Sequence, residues 1–166
     1  MRKIPSELEN PVDDILLRVV EVIAPLAHKL GQTPNMITTY SFIMGMIAVY
    51  LLNKGHVWGF VACYVASYFF DCMDGFMARS YKMVSRFGDV YDHITDYIVS
   101  GLILYIIWTK YWDHVTWVQL AVIAVFVVLM QVHVGCQENY HGGADAMLST
   151  FKWTCPNVKY LRVTRF

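Results

Sequence analysis

Residues 71–96 read DCMDGFMARSYKMVSRFGDVYDHITD, and this stretch decides the fold because four of its five aspartates recur at helical spacing on two consecutive apolar segments. These four aspartates are Asp71, Asp74, Asp92 and Asp96, and a short basic linker separates the two pairs. An ionised carboxylate inside or at the edge of a bilayer costs roughly 3 kcal/mol or more. Four carboxylates close together in such surroundings therefore predict a bound cation.

Helical geometry places these side chains on two stripes that can face each other. At about 100° per residue, positions 71, 74, 75, 78 and 79 share one face of a helix, and positions 88, 92 and 96 share one face of the next. Both faces carry small residues, namely Gly75, Ala78 and Gly88. Their lack of large side chains allows a second helix or a ligand to approach closely. Oxygen ligands without clustered sulfur or imidazole favour Mg²⁺, Mn²⁺ or Ca²⁺. Because Arg79 adds a planar cation suited to phosphate oxygens, the set indicates phosphoryl chemistry on a diphosphate.

The motif resembles the signature of the CDP-alcohol phosphotransferases, D-x2-D-G-x2-A-R-x8-G-x3-D-x3-D. All eight fixed residues match it in identity and spacing, namely Asp71, Asp74, Gly75, Ala78, Arg79, Gly88, Asp92 and Asp96. The resemblance implies a membrane enzyme that moves a substituted phosphate group from a CDP-linked lipid or alcohol to an alcohol acceptor and releases CMP. It also implies a two-metal Mg²⁺ or Mn²⁺ site held by Asp71, Asp74, Asp92 and Asp96, with Asp96 as the general base.

The same resemblance implies a nucleotide- and phosphate-binding set around the motif. Its members are Asp74, Gly75, Ala78, Arg79, Gly88 and Asn35, and the last of these lies in a Thr33-Pro34-Asn35 run that looks like the start of the family's first membrane helix. The acceptor alcohol stays open. Asp92 and His93 are similar to the F-D-H-G-x-D pattern of choline and ethanolamine phosphotransferases, but inositol, glycerol 3-phosphate and serine are alternatives. His93 either orients Asp92 or contacts substrate, or it only forms local hydrogen bonds.

Composition favours an all-α integral membrane protein with a single domain. The chain has 166 residues, of which 57% are hydrophobic and 16% charged, and its net charge of zero predicts no nucleic-acid partner. Four stretches are long enough, or nearly so, to form transmembrane helices: about Met36–Leu52, Val57–Met77, Val90–Thr109 and Val115–Val134. Short connections make adjacent helices antiparallel neighbours. The resembled family usually has six such helices.

We predict three segments along the chain. Residues 1–35 form a cytoplasmic segment whose amphipathic helix, between Pro11 and Leu30, lies in the membrane interface, packs against the other helices, or does both. Residues 36–135 form the four-helix catalytic domain, and residues 136–166 form a polar cytoplasmic tail. Because only four spans are evident, either the last helices are missing from this chain or a homodimer completes the cavity.

The distribution of basic residues predicts the orientation. All of the 13 Lys and Arg residues except Lys54 and Lys110 flank the end of the spans that carries the motif, so both termini and the active site are expected in the cytoplasm.

The four cysteines lack C-x-x-C spacing, and we expect all of them to be reduced. An alternative zinc site would use His133, Cys136, His141 and Cys155, but this spacing fits no common pattern.

Two other function classes are compatible with the sequence. A shortened, inactive relative or scaffold would explain the low number of spans, although such a protein would be free to lose the motif that this chain retains in full. A divalent-cation carrier would also use acidic groups in the membrane. Carriers usually bind their ions near the bilayer midplane, whereas these aspartates lie towards one end of the spans.

Overall fold

The computed structural model describes residues 11–112, 115–141 and 155, and these residues are helical over most of their length. The helices are α1 (Pro11–Lys29), α2 (Pro34–Asn53), α3 (Val57–Ser80), α4 (Arg86–Tyr111) and α5 (Trp117–His141). A helix therefore lies at each of the four predicted spans, preceded by the predicted amphipathic helix. The all-helical prediction is confirmed.

Two of these helices are long and apolar enough to cross a membrane. They are Pro34–Asn53, which is α2, and Arg86–Lys110, which is nearly all of α4. Helix α5 contributes a shorter apolar stretch, Trp117–Leu129. Large apolar side chains such as Tyr50 (59% exposed) and Leu104 (64% exposed) lie on the outer surfaces of α2 and α4, as lipid-facing residues do. The spanning roles of α3 and α5 stay predictions.

Polar caps set the first residues of α2 and α4. The Thr33 side chain accepts a hydrogen bond from the backbone N–H of Met36 (3.4 Å), and Pro34 follows it in the first turn of α2. The Ser85 side chain accepts from the backbone N–H of Gly88 (3.0 Å) and begins α4 at Arg86. Helix α4 thus starts before the apolar stretch, because a cap, and not hydrophobicity, decides where a helix begins.

Glycines with a positive φ angle follow the ends of α1 and α2. Gly31 (φ +76°) follows α1 and Gly55 (φ +81°) follows α2, positions at which a side chain would strain the backbone. The N–H groups after them donate to carbonyls five residues back, Gln32 to Ala27 (3.0 Å) and His56 to Leu51 (2.9 Å). The predicted end of α1 before Gly31 is confirmed, and the helix continues through Pro25.

The described residues divide into two compact units. The first contains residues 16–112, and the second contains residues 11–15, 115–141 and 155. In the first unit, one apolar cluster joins α1 to the start of α2 and the end of α3. Its buried members are Leu17, Val20, Ala24, Ala27, Ile37, Cys72, Met73, Phe76 and Met77. Other apolar residues of α1, such as Val22 (77% exposed), point away from it. Packing of α1 against the other helices is confirmed, while its place in the membrane interface stays a prediction.

Helix α2 packs against both α3 and α4. It runs antiparallel to α3, and the two helices are joined by reciprocal hydrogen bonds in which Ser41 Oγ donates to the Ser67 carbonyl (2.8 Å) and Ser67 Oγ donates to the Ser41 carbonyl (2.9 Å). It runs parallel to α4, where Gly45 leaves room for the side chain of Val99. The start of α2, the end of α3 and the start of α4 therefore meet at one end of the unit.

The second unit contains a disulfide bond between Cys136 on α5 and Cys155, with an S–S distance of 2.10 Å. The prediction that all four cysteines are reduced is therefore wrong for this pair, whose separation of 19 residues carries no recognisable pattern. Cys63 and Cys72 are free thiols. Because a cysteine binds zinc as the thiolate, the bond also removes the two cysteine ligands of the alternative zinc site. Predictions for residues 1–10, 142–154 and 156–166 lie outside the described residues.

Candidate active site

Three of the four predicted metal-binding aspartates come together between α3 and α4. Asp71 and Asp74 lie near the end of α3 and Asp92 near the start of α4, and one carboxylate oxygen of each lies within 4.8 Å of the others. The Asp74 side chain is buried (5% exposed), and those of Asp71 and Asp92 are half-buried. The helical spacing of the motif, together with the packing of both helices on α2, produces this cluster.

Three carboxylates this close repel one another when ionised, and partial burial weakens the screening of that repulsion by water. A divalent cation among them would reverse the local electrostatics. The donors are all carboxylate oxygens, the ligands that Mg²⁺ and Mn²⁺ prefer. The cluster therefore fits a divalent metal of this kind.

Asp96 lies one helical turn beyond Asp92 on α4, at an exposed position. It is not a member of the three-carboxylate group. Asp96 thus lies just outside the group of three, although its charge still interacts with those of Asp71, Asp74 and Asp92. Its roles as a metal ligand and as the general base both stay predictions.

Arg79 in the last turn of α3 folds back over Gly75. Its Nη1 atom lies 3.1 Å and its Nη2 atom 3.3 Å from the point where a Cβ atom on Gly75 would stand. Gly75 directly follows Asp74, so the guanidinium covers the turn that carries the buried carboxylate. The sequence assigned the open face of Gly75 to the nucleotide, whereas here this face accommodates the arginine. Ala78, one turn further on the same helix, is half-buried.

The first turns of α2 contribute two further polar side chains. Thr38 Oγ1 donates a hydrogen bond to Asp74 Oδ2 (2.5 Å). Asn35 Oδ1 lies 2.8 Å from the point where a Cβ atom on Gly88 would stand, so Asn35 is in contact with the motif glycine of α4. Sequence reasoning included Asn35 and missed Thr38. The available signal was only a hydroxyl group about one turn after Asn35, which Thr39 offers as well.

Two more side chains near the site form hydrogen bonds within the protein. His93 Nδ1 lies 2.8 Å from the backbone carbonyl of Asp89, one turn earlier on α4, which agrees with the local alternative for this histidine. Thr39 Oγ1 and Tyr91 Oη lie 3.1 Å apart and join α2 to α4. The Thr39–Tyr91 bond helps to fix the register of α2 and α4 beside the carboxylates.

Comparison with known proteins gives consistent results. The sequence model of the CDP-alcohol phosphatidyltransferase family matches residues 31–152. A CDP-diacylglycerol–inositol 3-phosphatidyltransferase of Drosophila melanogaster is 28% identical over 114 residues, which cover 65% of this chain and 49% of the relative. The enzyme of the same name from Saccharomyces cerevisiae is 36% identical over 69 residues, or 42% of this chain and 31% of the relative.

A phosphatidylinositol phosphate synthase of Mycobacteroides abscessus is 30% identical over 100 residues, covering 59% of this chain and 40% of the relative. The matched region thus spans half or less of the length of each of these curated relatives. No solved structure matches the chain. The family match includes α2 to α5 and every residue of the aspartate motif, and it covers well over half of the sequence. This chain belongs to the CDP-alcohol phosphatidyltransferase family, a family of integral membrane proteins.

Proposed function

We propose that this protein is a membrane transferase that moves a substituted phosphate group from a CDP-linked donor to the hydroxyl of an alcohol, releasing CMP. The observation that carries the proposal is the group formed by Asp71, Asp74 and Asp92, whose carboxylate oxygens lie within 4.8 Å of one another. Such a group suits a divalent cation, and its placement beside Arg79 suits a diphosphate. Family membership supports the same reaction class.

Different residues of the site would bind the metal, the phosphates and the nucleotide. Asp71, Asp74 and Asp92 would hold Mg²⁺ or Mn²⁺, which when bound neutralises phosphate charge and stabilises the departing CMP. Arg79 supplies a planar fork for phosphate oxygens, and it can leave the open face of Gly75 as the nucleotide enters. Asn35 and Gly88 bind the nucleotide between the first turns of α2 and α4.

Asp96 is placed to serve as the general base. Because Asp96 is not a member of the three-carboxylate group, it can accept a proton more readily than a carboxylate coordinated to a cation, which is a weaker base. Asp96 takes the proton of the acceptor hydroxyl as the hydroxyl oxygen forms a bond to the phosphorus that is not part of CMP. The bond between that phosphorus and the bridging oxygen breaks, and CMP leaves with the electron pair.

We infer that the donor is CDP-diacylglycerol and that the acceptor is inositol or an inositol phosphate. The support is that two of the matching relatives are named CDP-diacylglycerol–inositol 3-phosphatidyltransferases, and a third is named a phosphatidylinositol phosphate synthase. His93 gives no support to a choline or ethanolamine acceptor, because its ring is hydrogen-bonded to its own helix. The product would be a phospholipid with an inositol-containing head group.

The protein is proposed to act as a homodimer, with its termini and site facing the cytoplasm. Membrane lipids surround it, and the donor would reach the site from the bilayer. The basic residues at the motif end of the helices support this orientation. The Cys136–Cys155 disulfide speaks against a cytoplasmic C-terminal segment, because such bonds are rare in the cytosol. Size measurement by light scattering in detergent would test the dimer independently of the activity.

The decisive experiment measures CMP release by purified full-length protein from CDP-diacylglycerol, with inositol, inositol 3-phosphate, glycerol 3-phosphate or serine in parallel reactions. CDP-choline with diacylglycerol forms a further reaction. We expect release only with an inositol-type acceptor, loss of release with excess chelator, and its return with Mg²⁺ or Mn²⁺. Release with another acceptor would change the substrate but keep the reaction class. Bound Mn²⁺ without release from any donor would favour a non-catalytic relative or a cation carrier.

A further inference from the structure

A buried hydrogen bond joins Thr38 on α2 to Asp74 on α3, two residues that are 36 positions apart in the sequence. The Oγ1–Oδ2 distance is 2.5 Å, and the two side chains are 3% and 5% exposed. Helix α2 carries no carboxylate of the cluster, and Asp74 is the most buried carboxylate of the cluster. The hydrogen bond joins the two. Thr38 therefore contacts one of the proposed metal ligands directly.

The hydroxyl of Thr38 has one proton and two possible acceptors. Its oxygen lies 3.2 Å from the carbonyl of Pro34, four residues earlier, and 2.5 Å from Asp74 Oδ2. A hydrogen bond to an ionised acceptor is shorter and about twice as strong as one between neutral groups. When Asp74 is ionised, as a metal ligand is, the proton therefore goes to Asp74. The adjacent Thr39 differs, because it bonds the Asn35 carbonyl (2.9 Å) and contacts Tyr91.

We propose that Thr38 is a positioning residue that holds the carboxylate of Asp74 in the orientation required to bind the divalent cation. The inference rests on the proposed function of the aspartate cluster. A carboxylate offers about four lone-pair positions, so one bond from Thr38 fixes its plane and leaves the other positions for a cation. Without this bond, repulsion from Asp71 and Asp92 would turn the carboxylate away. Partners of this kind typically change metal affinity or activity about 10–100-fold.

The same helix pair contains a matched control. Ser41 lies one turn beyond Thr38 on α2, is similarly buried (5% exposed), and bonds Ser67 on α3 through the reciprocal pair described above. Neither serine belongs to the carboxylate cluster. Removal of the Ser41 hydroxyl should therefore weaken the packing of α2 on α3 to a similar degree, without a direct effect on a metal ligand.

The experiment measures Mn²⁺ binding to the full-length protein in detergent by electron paramagnetic resonance, together with the Tm. Thr38→Val, which keeps the shape but removes the hydroxyl, should weaken Mn²⁺ binding about 10–100-fold. Thr38→Ser should restore most of the affinity. Ser41→Ala should lower the Tm and leave Mn²⁺ affinity as in the wild type. The Mn²⁺ concentration for half-maximal CMP release should shift in parallel with the binding constant.

Equal Mn²⁺ affinity for wild type and Thr38→Val, with a lower Tm alone, would overturn the proposal and make Thr38 a packing residue. If Thr38→Val does not yield folded protein, Thr38→Ala and Thr38→Ser replace it, and equal affinities in these two variants would overturn the proposal in the same way. Absence of Mn²⁺ binding to the wild type would instead remove the proposed metal site itself. Failure of the site and failure of the positioning role are thus distinguishable.

Discussion

The side-chain oxygen of Asn35 occupies the space that a side chain on Gly88 would need, 2.8 Å from the position of its absent Cβ atom. Asn35 lies in the first turn of α2 and Gly88 in the first turn of α4. Asn35, at the start of α2, and Gly88, in the aspartate motif on α4, are therefore in direct packing contact. The requirement for glycine at this position follows from the Asn35 side chain, with the Ser85 hydroxyl oxygen next nearest at 3.1 Å, and not from the backbone.

Gly88→Ala should displace the Asn35 amide from its position between the two helices. We expect the KM for the CDP-linked donor to rise up to about tenfold, the equivalent of one lost hydrogen bond of about 1.4 kcal/mol. The Tm should change little, since alanine favours a helix over glycine by about 1 kcal/mol. Donor titrations of CMP release would measure the effect.

Gly101→Ala is the matched control for this substitution. Gly101 lies on the same helix, and a Cβ atom there would have no neighbour within 4 Å. Its KM should stay at the wild-type value. In an Asn35→Ala background, Gly88→Ala should add no further increase, because the displaced group is already gone. An equal effect of Gly88→Ala with and without Asn35 would show that the methyl group acts by another route.

Asp71→Asn and Asp96→Asn should separate metal binding from base catalysis. Asp71→Asn replaces a charged ligand with an amide, so Mn²⁺ and nucleotide binding should weaken together. Asp96→Asn should keep most of the affinity for the donor and lower turnover roughly 10²–10⁴-fold, the usual range for loss of a general base. Binding measurements and kcat for each variant decide between the roles. Loss of donor binding in Asp96→Asn as complete as in Asp71→Asn would reassign Asp96 as a metal ligand.

Labelling of single cysteines should report the orientation in the membrane. In a background without the four native cysteines, Val84→Cys lies in the exposed segment between α3 and α4, and His56→Cys lies in the exposed turn between α2 and α3. An impermeant maleimide should label residue 84 from the cytoplasmic side and residue 56 only from the opposite side. The reverse pattern would place the carboxylate cluster away from the cytoplasm.

The disulfide bond predicts the number of reactive thiols. Under denaturing conditions without reductant, a maleimide should label only Cys63 and Cys72, and after reduction it should also label Cys136 and Cys155. Mass spectrometry would count the added groups. As a control, Cys136→Ser should release Cys155 and give one extra label without reductant. Four labels in the unreduced wild type would show that the bond does not form.

The spacing of the motif was sufficient to predict the helices that carry the aspartates and the approach of Asp71, Asp74 and Asp92. Thr38 could not be predicted from the sequence. A threonine in an apolar helix ordinarily bonds the carbonyl four residues earlier, and the sequence does not distinguish Thr38 from Thr39, which does so. The first residues of α4 were missed for a related reason. Ser85 caps the helix before the apolar residues begin, and hydropathy alone does not detect a cap.

The hydrogen bonds between α2 and α3 have a consequence for the response to the lipid environment. Thr38 bonds Asp74 and Ser41 bonds Ser67, so sliding of one helix along the other would break both contacts at once. A thinner or thicker bilayer is accommodated by helix tilt at a cost of fractions of a kcal/mol per Å. We therefore expect α2 and α3 to tilt as one rigid pair when hydrophobic thickness changes. Asp74 on α3 would then keep its hydrogen bond to Thr38 on α2 in membranes of different lipid composition.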